Sequence, residues 1–482
     1  MRNVGQIMAR VWLAMLLLPG AYRGGAATTN PVDGVWQSSG YGLIARIQGE
    51  EVAFYDVTAT TCIRHLAPPW VDFPLGRAAR MSADGRSLVA VSPWGLTRMY
   101  FDRLSAVPAR CSDESRAAKD PSYNFEVFWQ TFAENYAFFA ERGVDWQRVG
   151  STYRPRLDAV SDDAGLREMF ADIFRQLQDQ HVMLITDQGI MRSGLPAIVA
   201  RWYEAGDAHS VPAAEQMLRT KLTEYMSPSW RRYLDPGSLQ QVSSNIARAT
   251  AMGGRIGYLS IASEWHYTSP DSAQLDERAA ADRQFSRVFS GFSGKQGIIV
   301  DLRLNSGGSD EIGLDIAGWL ADRNRPGFTK CARDGASTTP AQRVQVQRQS
   351  AAFSGPTVVL VSNLTTSAGE NIALMVKDFP QVILVGDRTS GVHSDPLTKS
   401  LPNGWRFILS NEIFVAPDGT AYEGIGVPPD ILVPYEPEEV RSSGVDPLLE
   451  KALELLSVRN FPAVAAAVRR PRGSGRPSRC HR

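Results

Sequence analysis

The 482-residue sequence predicts an α/β protein with a small all-β module ahead of it. Three observations carry that expectation. From Gly254 onward, apolar strand-like runs alternate with helix-patterned runs. Residues 30–115 break into short alternating runs such as EVAFYDVTAT and SLVAVSPWG, separated by Gly, Ser and Asp. Between them, FEVFWQTFAENYAFF places apolar residues at helical spacing.

Taken in order, the chain begins with Arg2 and Arg10 ahead of VWLAMLLL (Val11–Leu18), then Gly25-Ala26-Ala27. That is the layout of a signal peptide over 1–27. The apolar run falls short of the ~20 residues a membrane span needs. The mature chain is expected to start near Thr28, to be exported to a periplasmic or extracellular location and to keep no stable membrane span; an uncleaved anchor is the alternative. The β module occupies 30–115. A helical region covers 120–187 and ends in GLREMFADIFRQLQDQHVMLITD. Residues 188–253 read as a polar helical insert, without the glycine-rich loop by which PDZ domains grip a carboxylate. The α/β core spans 254–440, with strands RIGYLSI, GIIVDLRL, PTVVLVSN, QVILVG, WRFILSNEIFV and DILVPY. Residues 441–482 hold a last helix and a basic, Pro/Gly/Ser-rich tail whose composition predicts disorder.

Charge narrows the function. The 51 basic and 51 acidic residues cancel, so no field of one sign points to nucleic acid. An exported chain tolerates disulfides. Cys62 and Cys111 flank one β-rich segment and are the expected pair among the four cysteines. No C-x-x-C occurs, so no zinc ribbon is expected. No metal or other cofactor is called for.

The chemistry concentrates in the core. In PTVVLVSNLTTSAGENIALMV, Ser367 stands where a strand gives way to a helix. Ser367-Ala-Gly-Glu370 is a capping-box pattern, so Ser367 is either an N-cap or a nucleophile at the positive end of a helix dipole. If it attacks, Thr365 or Thr366 is left to cap. The first N–H groups of a helix lack partners, so the Ala368 N–H is a candidate oxyanion donor. A second strand ends in Asn305-Ser306-Gly307-Gly308, where backbone N–H groups can face a ligand. Glu423, in AYEGIGVPPDILV, precedes a Gly/Pro turn and alone reads as a surface carboxylate. Asp301 and Arg303 share a face of an apolar strand and read as a structural ion pair. Trp265, His266 and Tyr267 follow a core strand and are candidate walls of a substrate cleft.

Taken together, DLRLNSGG, TTSAGE, GDRTSG and GVPPDI resemble, in order and separation, the tail-specific (C-terminal-processing) and tricorn-core serine protease family, including its interphotoreceptor-retinoid-binding-protein-like branch. The resemblance covers Gly254–Val433 well and Glu126–Asp187 loosely. It implies a ClpP/crotonase-like αβ superhelix beside a helical region, and peptide or protein substrates. It makes Ser367 the nucleophile and Gly308 and Ala368 the oxyanion donors. The family's usual lysine position holds Val392, so a Ser–Lys dyad is absent. The tricorn-like branch uses a His ahead of the core and a Glu late in it. LQDQHVML supplies His181 and EGIGVPPD supplies Glu423. A serine hydroxyl needs an adjacent base, and a carboxylate can fix the imidazole tautomer.

His393, beside the missing lysine, is the other candidate base. Lys377 and Lys399 read as solvated. A ligand-binding or scaffold protein on the same fold, without catalysis, is the competing reading. A crotonase-type acyl-CoA enzyme is a weaker one, since CoA thioesters are cytoplasmic. Oligomeric state is not legible.

Overall fold

The computed structural model describes residues 32–49, 51–65, 79–91, 96–111, 118–205, 211–268, 274–468, 476–477 and 480. The expected signal peptide lies outside them.

The N-terminal module is one antiparallel sheet of β1 (Gly34–Ser38), β2 (Leu43–Gln48), β3 (Glu51–Val57), β4 (Cys62–Arg64), β5 (Arg80–Met81), β6 (Ser87–Val91) and β7 (Arg98–Leu104). Its order is β4-β3-β2-β1-β7-β6-β5. The Cys62–Cys111 disulfide closes its edge. Buried polar contacts fasten the module to the rest, among them the Tyr41 hydroxyl donating to Glu412 (2.7 Å) and Lys399 pairing with Asp56 (2.9 Å). Lys399, expected to be solvated, is therefore buried and its ammonium neutralised. Lys377 donates to the Tyr422 hydroxyl at 2.7 Å.

The helices Pro121–Asn135, Trp146–Tyr153 and Asp163–Leu177 form the helical region. Phe128 is its centre, with Phe132 and Phe170 centroids 4.6 and 4.4 Å away. The chain then turns at Asp179–His181 into β8 (Met183–Thr186) and β9 (Gly189–Arg192). The insert contains the helices Ala197–Ala205 and Val211–Tyr233. It ends earlier than expected, because β10 (Gln240–Gln241) and β11 (Ile246–Ala251) already belong to the core sheet. The small residues of IARATA give no strong strand signal, yet β11 pairs with β12 (Ile256–Ile261) along its whole length.

The core sheet runs β10-β11-β12-β13-β17-β18-β23. After β12 comes β13 (Gly297–Asp301), and β12 and β13 are parallel. A side sheet contains β14 (Arg325–Asp334), β15 (Ser337–Thr338) and β16 (Gln342–Val346). Then β17 (Thr357–Val361) and β18 (Val382–Gly386) extend the parallel run. β12, β13, β17 and β18 are buried throughout, as parallel strands covered on both faces must be. Val359 and Val361 face the helices Gln274–Ser290, Asp310–Leu320 and Ala368–Val376. Val358 and Leu360 face Pro447–Ser457.

WRFILSNEIFV, expected as one strand, breaks at Asn411 into β19-paired β20 and β21: β19 (Pro396–Ser400), β20 (Arg406–Ser410) and β21 (Glu412–Val415). Asn411 turns its amide onto the Gly40 carbonyl (3.0 Å), and β21 departs to pair with β14. β20 pairs with β8, so the turn carrying His181 is brought to the core. The remaining strands are β22 (Thr420–Ala421), β23 (Ile431–Leu432) and β24 (Arg476–Pro477).

At residues 476–477 and 480 the tail departs from the expectation of disorder, and the rest of it lies outside the described residues. β24 pairs with β22, and Cys480 is disulfide-bonded to Cys331 of β14. The covalent tie across 149 residues holds Cys480 against β14, where composition alone gives no anchor. The fold is thus the α/β architecture expected, with an adjoining helical region and a small β module.

Candidate active site

β13 and β17 are adjacent and parallel, so their C-terminal ends open side by side, where such sheets place ligands. β13 runs into Asn305-Ser306-Gly307-Gly308. β17 runs into the turn Ser362–Thr366. Thr365 Oγ1 donates to the Leu302 carbonyl (2.7 Å), and the Thr366 N–H donates to the Asn305 carbonyl (2.9 Å), clamping the turns together.

Ser367 follows at φ 53° and ψ −125°. An ordinary N-cap residue is extended, whereas a non-glycine residue here carries strain of about 1–3 kcal/mol. Gly307 makes room for it: a Cβ on Gly307 would lie 2.6 Å from Ser367 Cβ. Neither expected substitute caps the helix by side chain, since Thr365 and Thr366 both direct their hydroxyls to β13 carbonyls or the turn after it. The Thr366 carbonyl instead accepts the Gly369 N–H at 3.0 Å.

Around this turn, two backbone donors are free. Neither the Gly308 N–H nor the Ala368 N–H has a hydrogen-bond partner among the described residues. Gly307 and Ser309 on either side of Gly308 are held: Glu264 N–H donates to the Gly307 carbonyl (3.0 Å), and Ser309 N–H to the Glu264 carbonyl (3.3 Å).

Glu370, fully buried, ties the turn to the following loop. Its carboxylate accepts from Ser367 N–H (3.3 Å), Gly391 N–H (2.6 Å) and Val392 N–H (2.8 Å). His393 Nε2 stands 3.5 Å from Glu370 Oε1, and its Nδ1 is 2.9 Å from Asn371 Oδ1. Because the Asn371 amide donates to Asp310 (3.0 Å), its oxygen accepts from His393 Nδ1–H. His393 is 1% exposed. Burial holds its pKa below the usual range, Glu370 opposing and His181 reinforcing.

His181 is partly exposed and sits within electrostatic reach of the same groups. Its backbone N–H donates to Asp179 (2.9 Å), itself held by the Tyr136 hydroxyl (2.8 Å). Burial lowers the imidazole pKa, opposed by Asp179, Asp395, Glu370 and the Ser394 backbone. Its Nδ1 has no partner among the described residues.

Glu423 does not hold the His181 ring by a hydrogen bond, as the sequence had led one to expect. It accepts the backbone N–H groups of His393 (2.7 Å) and Ser394 (3.1 Å), and Arg142 (3.0 Å). Those donors arrive because Gly391 and Gly426 let the loops touch: a Cβ on Gly391 would lie 2.9 Å from Gly426 N. Burial, Asp179 and Glu370 push the Glu423 carboxyl up to about 8, against Arg142 and the His393 N–H. Of the expected cleft walls, Tyr267 is instead a core residue, 6% exposed and 5.8 Å from the Phe285 ring centroid. Trp265 is half-buried and His266 exposed.

The structure thus gathers Ser367, Gly308, Ala368, His181, His393 and Glu423 at one end of the core. Sequence reasoning missed Glu264 and Asn305, which hold the glycine turn, and Arg142. Among the described residues, no group of three or more His, Cys, Asp or Glu side chains is placed to hold a metal ion.

The family description Peptidase family S41 matches residues 255–433, and Tricorn protease C1 domain matches 117–175. Carboxyl-terminal-processing peptidase 3, chloroplastic, of Arabidopsis thaliana is 27% identical over 403 residues, 75% of this chain and 71% of that protein. Peptidase 1 of the same organism is 29% identical over 132 residues, only 27% of this chain and 26% of that protein. A crystal structure of a Parabacteroides merdae protein described as a peptidase has a TM-score of 0.56 at 23% identity, covering 70% of this chain and 98% of that one, a likeness of fold. Residues 255–433 thus form an S41 domain of the tail-specific and tricorn-core serine-type peptidases, with a tricorn C1 domain ahead of it at 117–175.

Proposed function

We propose that this chain is an exported serine endopeptidase acting on peptides or proteins, with Ser367 as nucleophile, His181 as base and Glu423 in support. The observation that carries the reading is the strained Ser367 turn set beside two free backbone donors. A residue needed only as a cap has no use for a strained, positive-φ backbone.

Ser367 Oγ attacks the scissile carbonyl, and its proton passes to His181. The developing oxyanion is held by the Gly308 and Ala368 N–H groups. His181 returns the proton to the leaving amine, and a water repeats the sequence in reverse to release the acyl group. His181 is favoured over His393 by exposure. A proton shuttle must reach the leaving amine, and His393 is sealed and bonded to Asn371. Lowered by burial, the His181 pKa leaves a neutral imidazole at neutral pH, the form a base requires. Glu423 acts through the backbone: it fixes residues 393–394, beside which the His181 ring lies. The two disulfides fit an oxidising compartment and support export. No helix among the described residues is long and apolar enough to cross a membrane.

The test is hydrolysis of fluorescein-labelled casein by the purified mature protein. Release by the wild type and none by Ser367→Ala is expected. Equal release by the two proteins would contradict the assignment. Expressed with its own N-terminus in a bacterial host, the secreted chain should begin near Thr28; retention in the cytoplasm would contradict export.

A further inference from the structure

Glu264 sits at the end of β12, where an acidic residue would ordinarily meet water. Its side chain is 0% exposed. Oε1 accepts from the Asn305 amide at 2.7 Å, while Oε2 has no partner among the described residues. Among the described residues, no lysine, arginine or histidine pairs with it. Its charge is felt by Tyr267, whose hydroxyl donates to the Ser263 carbonyl (2.7 Å) and which Glu277 also faces.

The connections run straight to the oxyanion turn. The Asn305 amide oxygen accepts the Gly307 N–H (2.8 Å), and the Asn305 carbonyl accepts the Thr366 N–H (2.9 Å). The Glu264 backbone brackets Gly308 through its N–H and carbonyl, and a Cβ on Gly308 would lie 2.7 Å from Glu264 Cβ. Ser263 Oγ also donates to the Gly307 carbonyl (2.8 Å). Residues 263–264 and Asn305 therefore hold the turn on both sides of the Gly308 N–H.

We propose that Glu264, in its protonated form, is a positioning residue for the oxyanion hole: through Asn305 it sets the Gly307–Gly308 turn against Ser367, and its ionisation weakens the site. The proposal rests on the peptidase reading above and adds a residue and a titration to it. An uncharged carboxyl tolerates burial with one oxygen unpaired far better than a carboxylate does. A negative charge this close to the turn would also oppose the oxyanion that Gly308 must stabilise. Burial pushes the Glu264 carboxyl up to about 7, against the Asn305 hydrogen bond, so the change from helpful to harmful falls near neutral pH.

The experiment follows labelling of the full mature chain by a fluorophosphonate–rhodamine probe across pH 5.5–8.5, separating the maximal rate from the half-saturating concentration. At pH 6, Glu264→Ala should slow the maximal rate about 10- to 100-fold and leave half-saturation within about twofold. Glu264→Gln, which keeps the bond to Asn305 without a charge, should recover most of that loss. It should also lack the component with a midpoint near 7 that depresses the wild-type rate at higher pH. A Gln variant as slow as Ala, or one that keeps the wild-type alkaline decline, overturns the proposal, as does an Ala variant as fast as the wild type. Should the Ala variant not fold, the Gln pH profile alone decides. Wild type that takes no label on Ser367 contradicts the peptidase reading and the positioning role with it. Labelled wild type with indifferent Glu264 variants contradicts the positioning role only. Thermal melts give an activity-free check. A raised folded-state pKa means the folded chain holds the extra proton between about pH 4.5 and 7, so wild-type stability falls as pH rises through that window. The Tm of Glu264→Gln should gain on the wild type by about 2 °C across it and then level off; a constant gap would contradict a neutral Glu264.

Discussion

β13 ends in two buried polar networks within eight residues, and they are built to opposite specifications. At Asp301 and Arg303 every charged group is paired. The Arg303 guanidinium, 0% exposed, donates to both Asp301 oxygens (2.9 and 2.6 Å) and to both Asp446 oxygens (2.8 Å each). Tyr258 and Ser229 complete the carboxylates at 2.7 and 2.6 Å, and Trp230 completes Tyr258 at 2.8 Å. At Asn305–Gly308 and the Ser367 turn, by contrast, groups are left over: Gly308 N–H, Ala368 N–H, one oxygen of Glu264 and one nitrogen each of His181 and His393. Leaving buried polar groups unpaired costs about 1–3 kcal/mol each. The first network ties β13 to the helix Pro447–Ser457, whose N-cap is Asp446. In the proposed reading, the second keeps its donors free for a reacting group. The contrast separates structural from functional polarity where burial alone does not, since both networks are buried.

The sharpest way to break that contrast is at Ser367. Ser367→Ala should reduce casein hydrolysis by about 10⁴-fold or more, with stability changed by no more than ~1 kcal/mol in urea unfolding. A cap would behave the other way round. Next in size is the satisfied network. Asp446→Ala leaves Arg303 with an uncompensated buried charge and should cost about 3–5 kcal/mol, read as a lower urea midpoint. A loss below 1 kcal/mol would mean the network is not the anchor described. The disulfide ranks third: Cys331→Ser with Cys480→Ser should lose about 2–4 kcal/mol and free the tail strand from β22. Hydrogen exchange at Thr420–Ala421 reports that release directly; unchanged protection would contradict it.

The smallest effect is on pH dependence. Burial depresses the His181 pKa, so the neutral base persists to lower pH than in a free imidazole. The acid limb of kcat/KM should therefore have its midpoint below about 6.5. A midpoint above that value would assign the limb to another group.

The two networks also differ in how far the sequence revealed them. The Asp301–Arg303 pair was readable from strand alternation, although Asp446, 143 residues beyond Arg303, was not. Ser367 stood out because three motifs in family order converge on it, but its strained backbone depends on Gly307 packing across from another strand. Glu264 was invisible: SEWHY after a strand offered Trp265, His266 and Tyr267 as cleft walls, and nothing local announced the bridge between Glu264 and Gly308. Glu423 was found, yet its partners were not, since Arg142 arrives from the helical region and the His393–Ser394 backbone from a loop. The Cys331–Cys480 link joins a core strand to a basic tail, and neither end carries a local signal of the other.

In the proposed reading the unpaired groups around Ser367 are the working ones, with His181 as the base. Mapping a fluorophosphonate adduct by mass spectrometry in the wild type and in His181→Gln tests it most directly. The account predicts a single adduct on Ser367, formed at least about 100-fold more slowly in His181→Gln. An adduct on another residue, or labelling of Ser367 at the wild-type rate without His181, would contradict it.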